Sequence, residues 1–83
     1  MDPIDKDFDE KILAKNREIV SQYTINIRGN EKSGFRGEVE EIHTIIMFGK
    51  TIEECYAKLI EGTVIVISVM EELGFLIPVP KNI

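Results

Sequence analysis

Residues 51–74 read Thr51-Ile52-Glu53-Glu54-Cys55-Tyr56-Ala57-Lys58-Leu59-Ile60-Glu61-Gly62-Thr63-Val64-Ile65-Val66-Ile67-Ser68-Val69-Met70-Glu71-Glu72-Leu73-Gly74. Thr51 with Glu54 three residues on is a capping-box pattern: a hydroxyl to accept an orphan amide hydrogen, and a carboxylate to reach back. Ile52, Tyr56, Leu59, Thr63, Val66 or Ile67, Met70 and Leu73 recur at helical spacing. Gly74 stands where a C-terminal cap belongs. Against this, Gly62 to Ile67 is poor helix material and good strand material. The two cap signals bracket the stretch, and only Gly62 interrupts it. The reading is therefore one helix, Thr51–Leu73, held by packing more than by propensity. Four successive apolar residues, Val64 to Ile67, point all round such a helix, so it needs cover on a second side. That cover is either an N-terminal helix or a second copy of the chain.

Upstream, the period changes from helical to two. Tyr23, Ile25 and Ile27 alternate with Gln22, Thr24, Asn26 and Arg28, which predicts a strand over residues 21–28 with one wet face. The polar stretch Gly29–Gly34 is turn-like. In residues 35–41, Phe35, Gly37 and Val39 share one face, while Arg36, Glu38 and Glu40 share the other, giving a second strand and a hairpin. His43 to Phe48 is β-branched and aromatic, a third strand that Gly49 ends. Before the strands, Phe8, Ile12, Leu13 and Ile19 mark a narrow helical stripe from Asp7 to about Glu18. Asp5, Asp7 and Asp9 suit the positive end of its dipole.

After the long helix comes Phe75-Leu76-Ile77-Pro78-Val79-Pro80. Pro78 and Pro80, two apart, remove donors from the same strand edge, so the segment is expected as an edge strand that blocks further pairing. The resulting expectation is an α+β fold with an N-terminal helix, a three-stranded antiparallel meander and one long helix. The closing edge strand lies parallel to the first, in the order 3-2-1-4 that a right-handed crossover gives. Residues 1–19 read as a helical extension and 20–83 as the α+β domain.

The bulk numbers narrow the function. At 83 residues the chain fits one domain, with a stability of roughly 4–12 kcal/mol. Its net charge of −5 opposes direct nucleic-acid or anionic-membrane binding and agrees with a basic protein partner. One cysteine, Cys55, excludes an internal disulfide and a cysteine-built zinc site. A lone buried thiol fits a reducing, cytoplasmic setting. The N-terminus has no apolar stretch of signal-peptide length, and the longest apolar run is too short for a bilayer.

Chemistry is sparse. His43 is the only histidine, with no second group to make it a base or a metal ligand. Glu38, Glu40 and Glu41 are acidic neighbours without a histidine or aspartate at useful spacing, and Arg36 shares their face. No glycine-rich phosphate loop is present. No catalytic residue, cofactor or metal is expected. Arg36, Glu38, Glu40 and Glu41 are the candidate partner contacts.

Three stretches together resemble the HicB-like antitoxin family: Gly34-Phe35-Arg36-Gly37-Glu38-Val39, Phe48-Gly49-Lys50-Thr51-Ile52-Glu53-Glu54-Cys55, and Gly74-Phe75-Leu76-Ile77-Pro78-Val79-Pro80. The likeness covers about residues 20–81, with Gly49, Thr51, Glu54, Pro78 and Pro80 as its structural motif. It implies a partial ribonuclease H-like fold and a role in neutralising HicA, a small basic toxin that cleaves messenger RNA. A homodimer or higher homo-oligomer is expected with it. The chain departs from the family at Glu40-Glu41-Ile42-His43, where a proline-rich turn is usual, and in its N-terminal helix. It stops at Ile83, before the family's DNA-binding segment, so no direct operator binding is expected. The first-strand positions Gln22, Thr24 and Asn26 offer no anionic metal ligand, so any nuclease likeness is one of shape. The alternative is a stand-alone homo-oligomer with a structural or regulatory role and no toxin.

Overall fold

A computed structural model describes residues 8–81. It contains α1 (Glu10–Val20), β1 (Ile25–Asn30), β2 (Gly34–Val39), β3 (Ile42–Gly49) and α2 (Ile52–Glu72). Thr51 caps α2 from an extended backbone, its Oγ1 accepting the Glu54 amide hydrogen at 3.0 Å. The return half of the box is displaced by one residue, because Glu54 Oε2 accepts from the Lys50 amide at 3.2 Å. At the far end Gly74 has φ +84°. Its amide donates to Glu71 O, and the Phe75 amide donates to Met70 O at 2.9 Å. These paired bonds form a Schellman cap, which needs a residue tolerant of the left-handed region. Between the caps, Thr63 to Ile67 is helical despite its β-branched composition. Thr63, Val64 and Ile67 are buried, so packing overrides local preference.

The sheet is antiparallel in the order β1-β2-β3. All three strands pack on α2, and α1 packs on α2 from another side. The core is Val20, Tyr23, Val39, Ile45, Cys55, Leu59, Val64 and Ile67. Val20 of α1 belongs to it, so the N-terminal helix covers its own chain. Asp9 caps α1, with Oδ1 accepting the Lys11 amide hydrogen at 2.7 Å. Asp5 and Asp7, expected beside it, lie outside the described residues. Gly37 sets how closely the sheet meets α2: a Cβ there would collide with Leu59 Cδ1 and sit 2.8 Å from Cys55 Sγ.

Three expectations are corrected. The first strand begins at Ile25, not at residue 21, because Ser21 and the amides of Gln22 and Tyr23 close the last turn of α1. β3 carries an irregularity: Val39 pairs with Ile42, but Glu38 pairs with Ile46. The extra residues bulge, and Ile45 returns to the core at 6% exposure.

The largest correction concerns the end of the chain. No fourth strand forms from residues 75–80, so the order 3-2-1-4 and the partial ribonuclease H-like arrangement are not what this chain adopts. Pro78 and Pro80 lack amide hydrogens, which leaves too few donors for a ladder. The segment is held by other bonds. Tyr23 Oη donates to Pro78 O at 2.8 Å, and the Lys81 amide donates to Glu41 Oε2 at 3.0 Å. Ile77 packs on the core, while Leu76 is 94% and Val79 is 75% exposed.

Candidate protein-binding face

Strand alternation divides the sheet into two faces. Ile25, Ile27, Phe35, Val39, Ile45 and Met47 turn toward α2. Asn26, Arg28, Arg36, Glu38, Ile46 and Phe48 therefore occupy the opposite face, which none of the described elements covers. The register ranks them in two rows. Arg28 pairs with Arg36, which pairs with Phe48; Asn26 pairs with Glu38, which pairs with Ile46.

This face is chemically mixed. Two guanidinium groups are cross-strand neighbours, an arrangement that like-charge repulsion disfavours. Arg36 Nη1 lies 3.7 Å from Glu38 Oε2, which offsets part of it. Beside Arg36, Phe48 is 63% exposed, and Ile46 in the next row is 38% exposed. An exposed ring and an aliphatic side chain rimmed by Arg and Glu is a composition suited to protein contact.

The four candidate contact residues do not act as one cluster. Arg36 and Glu38 lie together on the open face. Glu40 and Glu41 sit in the turn between β2 and β3 and are engaged within the chain. Glu40 Oε1 is 3.5 Å from Lys81 Nζ. Glu41 accepts from the Thr24 amide at 2.8 Å and from the Lys81 amide. Partial burial alone would raise the Glu41 pKa. The hydrogen bonds from Lys81, from Thr24 and from its own amide outweigh that and hold it below the usual carboxylate value. Tyr23 is displaced upward, first by burial and then by the Glu41 charge.

The motif residues have structural jobs. Gly49 lets α2 start close to β3, since a Cβ there would fall 2.5 Å from the Cys55 amide nitrogen. Thr51 and Glu54 cap α2, and Lys58 beside Glu54 holds its carboxyl below the usual range. Pro78 supplies a carbonyl to Tyr23. Pro80, just before Lys81, lies in the same unladdered segment.

Cys55 is fully buried, with Sγ 3.6 Å from Met47 O, and burial pushes its thiol pKa up. His43 is exposed on the β3 bulge. Among the described residues, no group of three or more His, Cys, Asp and Glu could hold a metal ion. None of the described helices is long and apolar enough to cross a membrane.

Sequence reasoning missed Arg28 and Phe48 as members of the face. The alternation of each strand was visible, but their neighbours follow only from the register. Compared with family models, curated proteins and solved structures, the chain matches none. The resemblance to HicB-like antitoxins rests on the quoted motifs.

Proposed function

We propose that this chain is a protein-interaction module resembling a HicB-type antitoxin, which binds and neutralises a small basic HicA-like RNA-cleaving toxin. It acts in the cytoplasm, self-associates, and binds its partner without catalysis, cofactor or direct contact with nucleic acid. The observation that carries the reading is the uncovered sheet face, where Phe48 and Ile46 stand exposed among Arg28, Arg36 and Glu38. A three-stranded sheet wet on one side is ordinary, but an exposed phenyl ring beside paired guanidinium groups is an anchor with a polar rim. The acidic balance of −5 supplies the long-range field that would draw a basic partner.

The test is co-expression with any small basic protein encoded beside this chain. Co-purification and relief of growth arrest support the reading. Phe48→Asp and Glu38→Lys are expected to abolish both while preserving the circular dichroism of the chain. Absence of co-purification and of rescue with the wild-type chain would overturn it. The alternative, a stand-alone homo-oligomer of structural or regulatory role, draws on a different observation: Ile65 and Val69 of α2 and Leu73 at its C-cap are 52%, 40% and 66% exposed. Self-association without capture of a small basic protein supports that alternative.

A further inference from the structure

The exposed ridge of α2 runs through Lys58, Glu61, Ile65, Val69 and Glu72. Successive steps of three, four, four and three residues keep them on one line of the helix. The sheet covers Leu59 and Thr63, and α1 covers Ser68 through Asn16; Glu61 and Ile65 stay exposed at the border with α1, where they line a groove with Leu13 and Arg17. The order of the residues is symmetric about Ile65. Lys58 stands seven residues before it and Glu72 seven after; Glu61 and Val69 stand four to either side.

We infer that a second copy of this chain docks on that ridge, α2 against α2, antiparallel, with the two-fold axis passing at Ile65. The inference rests on the self-association within the proposed function and needs no toxin. Charge selects the direction. In a parallel pair Lys58 would face Lys58, Glu61 would face Glu61 and Glu72 would face Glu72. In the antiparallel pair, Lys58 of each copy runs opposite Glu72 of the other, and Ile65 meets its own symmetry mate. In its own chain the Lys58 ammonium is 3.1 Å from Glu54 and donates to Phe48 O at 3.2 Å; its side chain is still 53% exposed, and an ammonium has a third hydrogen to offer a carboxylate of the second copy. By the same symmetry Val69 of each copy runs opposite Glu61 of the other, so the apolar centre is confined to the two Ile65 side chains. The ridge is on the opposite side of the sheet from the open face. The dimer therefore leaves two open sheet faces, one per copy, and its stoichiometry with a sheet-bound partner is two to two.

Sedimentation equilibrium on the whole chain, up to millimolar concentration, reads the association. A wild-type dimer is expected. Ile65→Asp, half-exposed in the monomer and so compatible with folding, is expected to raise the dissociation constant by at least about tenfold. Lys58→Glu is expected to weaken the dimer and Lys58→Glu with Glu72→Lys to restore it. Ile65→Cys is expected to form a disulfide-linked dimer under mild oxidation, with the buried Cys55 unreactive. A wild-type chain that is monomeric throughout, a dimer that Ile65→Asp leaves intact, or a charge swap that fails to restore association would overturn the inference. Ile65→Asp monomers that still bind a basic partner leave the toxin reading standing, whereas intact dimers that bind none overturn only that reading.

Discussion

Glu41 and Lys81, forty residues apart in the chain, meet where the Lys81 amide donates to Glu41 Oε2 at 3.0 Å. The same carboxylate accepts the Thr24 amide hydrogen at 2.8 Å through Oε1 and the Thr24 hydroxyl at 3.2 Å through Oε2. One side chain in the β2–β3 turn thus fixes both the entry to β1 and the segment after α2. It does for the tail what a sheet ladder would have done, with charge-assisted bonds in place of a row of amides.

The first prediction is an acid dependence. The Glu41 pKa is lowered in the folded chain from the ordinary value of 4.5. A depressed folded pKa stabilises fully above the unfolded value, and that contribution is lost as pH falls through the folded value. Urea titrations near neutrality and near about pH 3 should show the loss. Glu41→Gln should cost at least about 1 kcal/mol near neutrality, because a single amide oxygen replaces two accepting oxygens and the NH2 group faces a backbone donor, and it should show a smaller drop on acidification. Equal pH dependence in the two proteins would remove Glu41 from this role.

A second prediction concerns the spacing between sheet and helix. Gly37→Ala puts a methyl group into Leu59 and Cys55, and overpacking of that kind costs roughly 1–3 kcal/mol. Leu59 is fully buried, so Leu59→Ala alone should cost about 2–5 kcal/mol. The double variant should lose less than the sum, since the removed leucine atoms vacate the space the new methyl needs. Strictly additive losses in chemical denaturation would mean that the helix, not the leucine, gives way.

These features were unequally visible in the sequence. α2 was legible because both ends carry cap chemistry, and that outweighed the strand preference of Val64 to Ile67. The shared face of Arg36 and Glu38 was legible because they are two apart in a strand. Phe48 beside Arg36 was not, because the bulge at residues 43–45 sets that register. The tail misled for a physical reason. The spacing of Pro78 and Pro80 says which amides are missing, and an edge strand and an unpaired extended segment both tolerate that. What decides is a hydroxyl at Tyr23 and a carboxylate at Glu41, far away in sequence. Asn16 was equally hidden, because a polar residue on a helix reads as a wet position until its partner Ser68 is known.

The third prediction follows from Cys55. The thiol is fully buried, and burial raises its pKa, so both access and thiolate population oppose reaction. Labelling by a thiol reagent should be at least about a thousandfold slower in the native chain than in urea, reflecting the opening that exposes the core. Urea below the unfolding transition should accelerate it. Fast labelling in the absence of denaturant would show that the α2–β3 contact opens locally.

The last prediction concerns two polar side chains in the dry interior around α2. Asn16 is fully buried; its Nδ2 donates to Ser68 Oγ at 2.8 Å, and Ser68 Oγ donates to Val64 O. That chain of donors fixes the orientation of the amide and leaves Asn16 Oδ1 without a protein hydrogen bond, as is Thr63 Oγ1. An unsatisfied buried acceptor costs stability that an apolar group of similar shape does not. Thr63→Val should therefore leave stability unchanged or raise it by up to about 1 kcal/mol. Asn16→Asp should do the reverse. It places a carboxylate in the interface next to Glu71, whose own carboxyl is held low by Lys15, and it should cost at least about 3 kcal/mol near neutrality. Burial would raise the pKa of that new carboxyl, so its penalty should shrink as pH falls through the raised value. Denaturation midpoints for the two variants across pH separate the effects. A destabilised Thr63→Val would mean that its hydroxyl is bonded in solution, and a pH-independent loss in Asn16→Asp would mean that α1 detaches instead of burying the charge.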